Sequence, residues 1–178
     1  MQRINTPKLE SATGAAAAIF ERIRESTGAV PNCYAAVGHL NPAALKAILQ
    51  ADGVLASSSL RKQELEIVKL VVSEIARCDY CMTAHGLLSL LAGLSPESLK
   101  AIREKRPTGN RRHDALVRFV HAVVTTRGTV GDDVYAEIKS AGYTDTHLVD
   151  ISLAIATATF TNVFNRINDT PIDVTAFV

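Results

Sequence analysis

Punctuation constrains the fold of this chain more than any single motif does. Residues that start and stop helices recur at short intervals, and the apolar residues between them run at helical spacing. An alanine-rich run from Glu10 to Ser26 stops at Thr27-Gly28. Gly28-Ala29-Val30-Pro31-Asn32 then reads as a turn, and Pro31 opens a short segment through His39. Asn41 caps and Pro42 starts a helix to about Ala56, and Ser57-Ser58-Ser59 breaks it, with Ser59 capping a run from Leu60 to Ala76. A helix from Tyr80 to Ala92 follows, and Gly93 with Ser95-Pro96 leads into a short one ending near Lys105. Arg112 to Arg127 places Leu116, Phe119, Val120 and Val123 on one face and ends at Gly128. Gly142 separates Val130–Ser140 from Thr144–Arg166, and Pro171 marks an irregular tail. No stretch sustains period-two alternation between hairpin turns, so no sheet is expected. The expectation is one all-α domain over residues 1–178, a bundle of seven to nine helices, with residues 1–10 and 169–178 as straps.

The 178 residues are enough for one domain with a buried core. With 47% apolar and 21% charged residues, the chain is composed like an ordinary globular protein. A net charge of +1 lacks the basic footprint of a nucleic-acid binder, and Arg103-Glu104-Lys105-Arg106 and Arg111-Arg112-His113 flank a turn that reads as solvated loop. Residues 148–163 are apolar, but the run is short, carries Asp150 and is rich in Thr and Ala. It is expected as a core or subunit-interface helix, not a membrane span. The first residues lack the apolar stretch of a signal peptide, and three cysteines do not make an even disulfide framework, so a reducing cytoplasm is the expected compartment.

In such a compartment a close cysteine pair points to catalysis or metal binding. Cys78-Asp79-Tyr80-Cys81-Met82-Thr83-Ala84-His85 sets two thiols three residues apart, and an imidazole four residues beyond the second. On a helix these three share a face. Covalent haem attachment needs His directly after the second cysteine, where Met82 stands. A structural zinc needs a fourth ligand, which Cys33 or His39 would have to bring. A thioredoxin fold needs strands. The remaining readings are a redox pair activated by a neighbouring base and two inert core cysteines beside a satisfied histidine. On a wheel of Leu60 to Ala76, Leu65, Val68, Val72 and Ile75 form the apolar stripe; Glu64 and Glu74 fall near it, and Glu66 lies nearly opposite. Glu74 is also four residues before Cys78.

Glu66 stands twelve residues before Cys78 of a Cys-x-x-Cys-x-x-x-His run, and this spacing resembles the AhpD-like alkylhydroperoxidases of the carboxymuconolactone decarboxylase superfamily. Gly28-Ala29-Val30-Pro31-Asn32 and Asn41-Pro42-Ala43-Ala44-Leu45 look like the family's N-terminal motifs. Asn162-Val163-Phe164-Asn165-Arg166 is similar to the C-terminal signature of its peroxidase-related branch. The resemblance spans roughly residues 28–168 and is densest over 60–92. Tyr80 departs from it, standing where well-studied members carry a His between the cysteines.

The resemblance implies an AhpD-like helical bundle that acts as a thiol peroxidase on organic hydroperoxides, with no metal and no cofactor beyond a redox-active Cys78–Cys81 disulfide. With Cys81 as the attacking thiol, His85 would take its proton, Glu66 orient His85, and Cys78 close the disulfide; spacing also allows the two cysteines to exchange roles. A separate thiol or dithiol reductant would reopen it, and the chain would form homo-oligomers, trimers or hexamers. Tyr80, Glu74 and Arg166 are secondary candidates, Arg166 as a partner for a carboxylate at the site mouth or as an interface residue. Lactone decarboxylation is the alternative activity, and a non-catalytic redox-sensing or zinc-holding helical oligomer the alternative class. Cys33 reads as a core residue, His121 as a satisfied or surface histidine, and His39 and His147 as capping groups.

Overall fold

The helix Lys62–Ala76 is buried along nearly its whole circumference, and the rest of the chain is arranged to cover it. In the computed structural model, which describes residues 2–173, nine α-helices follow a 3-10 turn at Leu9–Ser11. They are α1 Gly14–Thr27, α2 Asn32–Leu40, α3 Pro42–Ala56, α4 Lys62–Ala76, α5 Asp79–Leu91, α6 Pro96–Arg103, α7 Arg111–Thr126, α8 Asp132–Ser140 and α9 Asp145–Asn168. Among the described residues there is no strand, and the all-α expectation of seven to nine helices holds.

Most of the punctuation acts as the sequence suggests. Asn41 Oδ1 accepts the Ala44 N–H at 3.0 Å with Pro42 in the first helical position, and Ser95 Oγ accepts the Ser98 N–H at 3.1 Å ahead of Pro96. Gly28 ends α1 in the left-handed region at φ 83°. Two boundaries differ. The run expected from Glu10 is split, with helix beginning only at Gly14, because Gly14 itself is left-handed at φ 56°. Ser59 does not cap α4. Its N–H and hydroxyl both donate to Asp150 of α9, at 2.9 and 2.6 Å, while the Glu64 carboxylate folds back onto the Arg61 N–H at 2.9 Å. A tertiary carboxylate thus outcompetes the local cap.

Helix α4 carries Ile67, Val68, Leu70, Val71 and Val72, all 4% exposed or less, into a core shared with Leu116 and Val120 of α7 and Ile151, Ala154 and Ala158 of α9. Each such side chain contributes about 1.5–3 kcal/mol by leaving water. A second core joins Phe20 and Ile23 of α1 to Val37 and Leu45. The third is small: Cys33, Cys78, Tyr80 and Cys81, where α2, α5 and α9 meet.

By length and mean hydropathy α9 alone among the described helices could cross a membrane. Its inward face, however, includes Thr157, Asn162, Asn165 and Asn168, which the bundle buries, and its outward face shows Val149, Phe160, Val163 and Ile167. The first and last described segments are tied to this bundle. Backbone N–H groups of Arg3 and Ile4 donate to the Asn168 carbonyl (2.8 Å) and side-chain oxygen (3.1 Å), and Asp173 accepts the Asn32 N–H at 2.7 Å. Met1 and residues 174–178, the outermost parts of the expected straps, lie outside the described residues.

Candidate functional site

The chain passes from α4 to α5 through two residues, and that link sets the sulfurs. Arg77 is left-handed (φ 52°) and stops α4; Cys78, extended, becomes the residue preceding α5. The Cys78 sulfur there accepts the Cys81 N–H at 3.4 Å, as a capping oxygen would. One turn along, the Cys81 sulfur lies 2.9 Å from that of Cys78, and both residues are 2% exposed. All three cysteines are free thiols.

The two sulfurs share a proton unequally. The hydrogen bond from the Cys81 thiol outweighs burial and, with the Cys81 N–H and the nearby Arg166 cation, pulls Cys78 down to about 7. Cys81 is driven up by that same bond and by burial, against an opposing hydrogen bond from Asn165. The pair therefore titrates as a unit, with the charge resting on Cys78 and the proton on Cys81.

His85 follows one turn after Cys81, and its Nδ1 meets Glu66 Oε2 of α4 at 2.9 Å, each side chain 14% exposed. A carboxylate only accepts, so Nδ1 carries the hydrogen and Nε2 is left for other work. The periodicity reading misplaces Glu66, because α4 is covered on more than its apolar stripe. Glu64 and Glu74, which it favours, serve elsewhere. Glu64, fully buried, receives Arg112 Nε at 2.5 Å and the Tyr143 hydroxyl at 3.1 Å. Glu74 pairs with Arg103 at 3.2 Å and lines a separate cavity of about 490 Å³ between α4, α6 and α7, together with His121. That cavity is larger, but it holds no thiol.

Cys81, His85, Cys33, Tyr34, Tyr80 and Asn165 line a cavity of about 250 Å³, whose remaining wall is mostly apolar, including Leu87, Leu88 and Leu91. Cys78 is not on this wall. No hydrogen bond joins His85 to Cys81; the proton acceptor at hand for the Cys81 thiol is the Cys78 sulfur. Tyr80 donates its hydroxyl to Asp173 at 2.9 Å, and burial beside that carboxylate raises its pKa. The Arg166 guanidinium donates to the Ala76 carbonyl, and among the described residues no carboxylate pairs with it.

Two wall residues were undervalued in the sequence. Cys33, read there as core, faces the cavity, its thiol pushed up to about 12 by burial. Asn165 donates from Nδ2 to the Cys81 sulfur at 3.3 Å. The readable signal was its spacing with Asn162 and Asn168, three amides on one face of an otherwise apolar helix. His39 packs edge-on against Phe20, with ring centroids 5.1 Å apart in the second core, so it does not complete a zinc set with the cysteines. Among the described residues no group of three His, Cys, Asp or Glu is placed to hold a metal. His147 caps α9, its Nδ1 accepting the Thr144 N–H at 3.1 Å.

Residues 42–109 match the model of the carboxymuconolactone decarboxylase family. Over 99% of its length the chain superposes on an uncharacterized peroxidase-related protein with an alkylhydroperoxidase AhpD core from Ralstonia eutropha JMP134. That match has a TM-score of 0.84 and 20% identity, and covers 94% of that chain. A peroxidase-related protein from Silicibacter sp. TM1040 gives 0.81 and 21% over 98% of this chain and 93% of that one. The debrominase Bmp8, solved with 2,3,4-tribromopyrrole, gives 0.77 and 19% over 97% and 94%. No curated protein matches the sequence. The fold is therefore that of the AhpD-like proteins, and residues 42–109 carry the likeness to the carboxymuconolactone decarboxylase family.

Proposed function

We propose that the protein is a thiol peroxidase that reduces small organic hydroperoxides with the Cys78–Cys81 pair. The observation that carries this reading is the convergence of two sulfurs 2.9 Å apart with a Glu66-bound imidazole at one apolar cavity. Cys81 faces the cavity and is the attacking sulfur. It passes its proton to Cys78 across their contact and attacks the terminal oxygen of the hydroperoxide. The S–O bond forms, the O–O bond breaks, and the electron pair leaves with the alkoxide, which receives through His85 Nε2 the proton that Cys78 gave up on ionising. Glu66 supports the charge on that ring. Cys78 then displaces hydroxide from the Cys81 sulfenic acid, its own proton completing the water, and the disulfide closes. The sum is two thiols and a hydroperoxide giving a disulfide, an alcohol and water. A thiol or dithiol reductant reopens the bridge by exchange. The outward apolar row of α9 suits packing against further copies of the chain.

Titrating thiols before and after one equivalent of cumene hydroperoxide tests the reading. Two thiols lost per chain, with no sulfinic acid, is the expected result; no loss overturns it. The low exposure of both cysteines, 2% each, favours the competing reading of an inert or sensing module. Reductive dehalogenation is a second enzymatic reading, favoured by the apolar cavity wall and the likeness to the debrominase. The same dithiol would exchange a ring bromine for hydrogen and release bromide. Bromide release from 2,3,4-tribromopyrrole under excess dithiothreitol separates the two.

A further inference from the structure

Asn165 is 3% exposed and forms part of the wall of the thiol cavity. Its amide nitrogen donates to the Cys81 sulfur at 3.3 Å. Its side-chain oxygen accepts nothing from the protein. A buried carbonyl oxygen without a donor is costly, by about 1–3 kcal/mol. Asn162, three residues earlier, also has an unpartnered oxygen, but it bonds Ser73 and is not on the cavity wall, so it does not share the thiol site.

A hydroperoxide brings one donor, the hydrogen on its terminal oxygen, which is the atom a thiolate attacks. We propose that Asn165 is a catalytic residue, its amide N–H supporting charge on the Cys81 sulfur and its oxygen accepting the O–H of the hydroperoxide's terminal oxygen. This rests on the thiol-peroxidase reading and adds to it a specificity element: the site takes substrates with a free O–H beside the O–O bond. One amide then fixes both reacting atoms, sulfur and oxygen, at neighbouring positions. As the S–O bond forms and the O–O pair departs with the alkoxide, the hydrogen stays on the transferred oxygen. Asn165 consequently holds the Cys81 sulfenic acid in place until Cys78 attacks. Donation to Cys81 also tilts the shared proton toward Cys78, which readies Cys81 as the nucleophile.

The test compares two reagents at Cys81, read by mass spectrometry of the Cys81 peptide. Cumene hydroperoxide needs both the thiolate and the acceptor; methyl methanethiosulfonate needs the thiolate alone. Asn165→Leu removes donor and acceptor on the same branched heavy-atom skeleton and relieves an unsatisfied oxygen, so it is expected to fold, which circular dichroism checks. At a pH well above the Cys78 titration, where the pair carries one negative charge, its hydroperoxide rate should fall ~10–100-fold relative to its thiosulfonate rate. Asn165→Asp keeps an acceptor of the same shape and loses the N–H. There the ratio should stay near the native value, while the pH midpoint of both reactions moves up. An unchanged ratio in Asn165→Leu, or an unmoved midpoint in Asn165→Asp, overturns the proposal. If the native chain reacts with the thiosulfonate but not with hydroperoxide, the peroxidase reading fails and this proposal with it. Loss of the ratio in the variant alone is the result that separates the two.

Discussion

Glu64 and Glu66 are two residues apart on one helix, yet the structure gives them different work, and exchanging each for glutamine should separate stability from chemistry. Glu64 is fully enclosed and binds Arg112, Tyr143 and the Arg61 N–H. Breaking a buried pair costs about 3–5 kcal/mol. The Arg112 side chain keeps 22% exposure and also donates to the Ala141 and Gly142 carbonyls, so about 2–4 kcal/mol is the better figure for Glu64→Gln. At about 2–4 °C per kcal/mol for a domain of this size, the melting temperature should drop by about 4–16 °C. Glu66→Gln leaves a neutral partner for a ring near the cavity rim and should cost about 1 kcal/mol of stability or less. Its loss falls on the reaction. A hydrogen bond to a charged group contributes about 1.5–3 kcal/mol, which is roughly a 10–150-fold slower oxidation of the thiols by hydroperoxide. Thermal melts by circular dichroism and stopped-flow thiol loss read the two effects on the same samples. Equal melting of Glu64→Gln and the native chain, or an undiminished rate in Glu66→Gln, would refute the division of labour.

Three more expectations follow from the same contacts. Cys78 is held at about 7 chiefly by the Cys81 thiol, so in Cys81→Ala, which removes that donor, the thiolate absorbance near 240 nm should titrate at a higher pH. In the native chain that absorbance rises as pH passes upward through about 7. Burial raises Glu64, but Arg112, the Arg61 N–H and Tyr143 outweigh it and hold its carboxyl below the usual carboxylate range. Its contribution is full above that range and lost as pH falls through the lowered value; Glu64→Gln should therefore flatten the acid limb of stability against pH. A Cβ at position 38 would lie 2.4 Å from a Phe20 ring carbon and 2.7 Å from a Leu45 methyl, so Gly38→Ala should destabilise by about 1–3 kcal/mol in urea melts.

Where the chain turns is written locally, and so those features were legible: Asn41-Pro42, Ser95-Pro96 and Gly28 act through backbone groups a few residues away. The grouping of Cys78, Cys81 and His85 at one end of α5 was readable for the same reason, since one helix carries all but its first sulfur. What escaped depends on partners far along the chain. Ser59 looks like a cap until Asp150, ninety-one residues on, takes its hydrogens. Glu66 looks solvated on a wheel because a wheel assumes one buried face, whereas α5, α7 and α9 together enclose α4. Only the resemblance, which carries spacing between helices, singled it out. Asn165 escaped for a related reason: an amide on an apolar helix has no local meaning until α5 brings a sulfur to it. In this bundle, then, helix boundaries are decided by near neighbours, while the fate of each polar side chain on an enclosed helix is decided by what the opposite wall supplies. Glu64 shows that this is a matter of partners and not of depth. It is the more deeply buried of the two carboxylates, and it received an arginine and a tyrosine that hold the fold, while Glu66 received the imidazole.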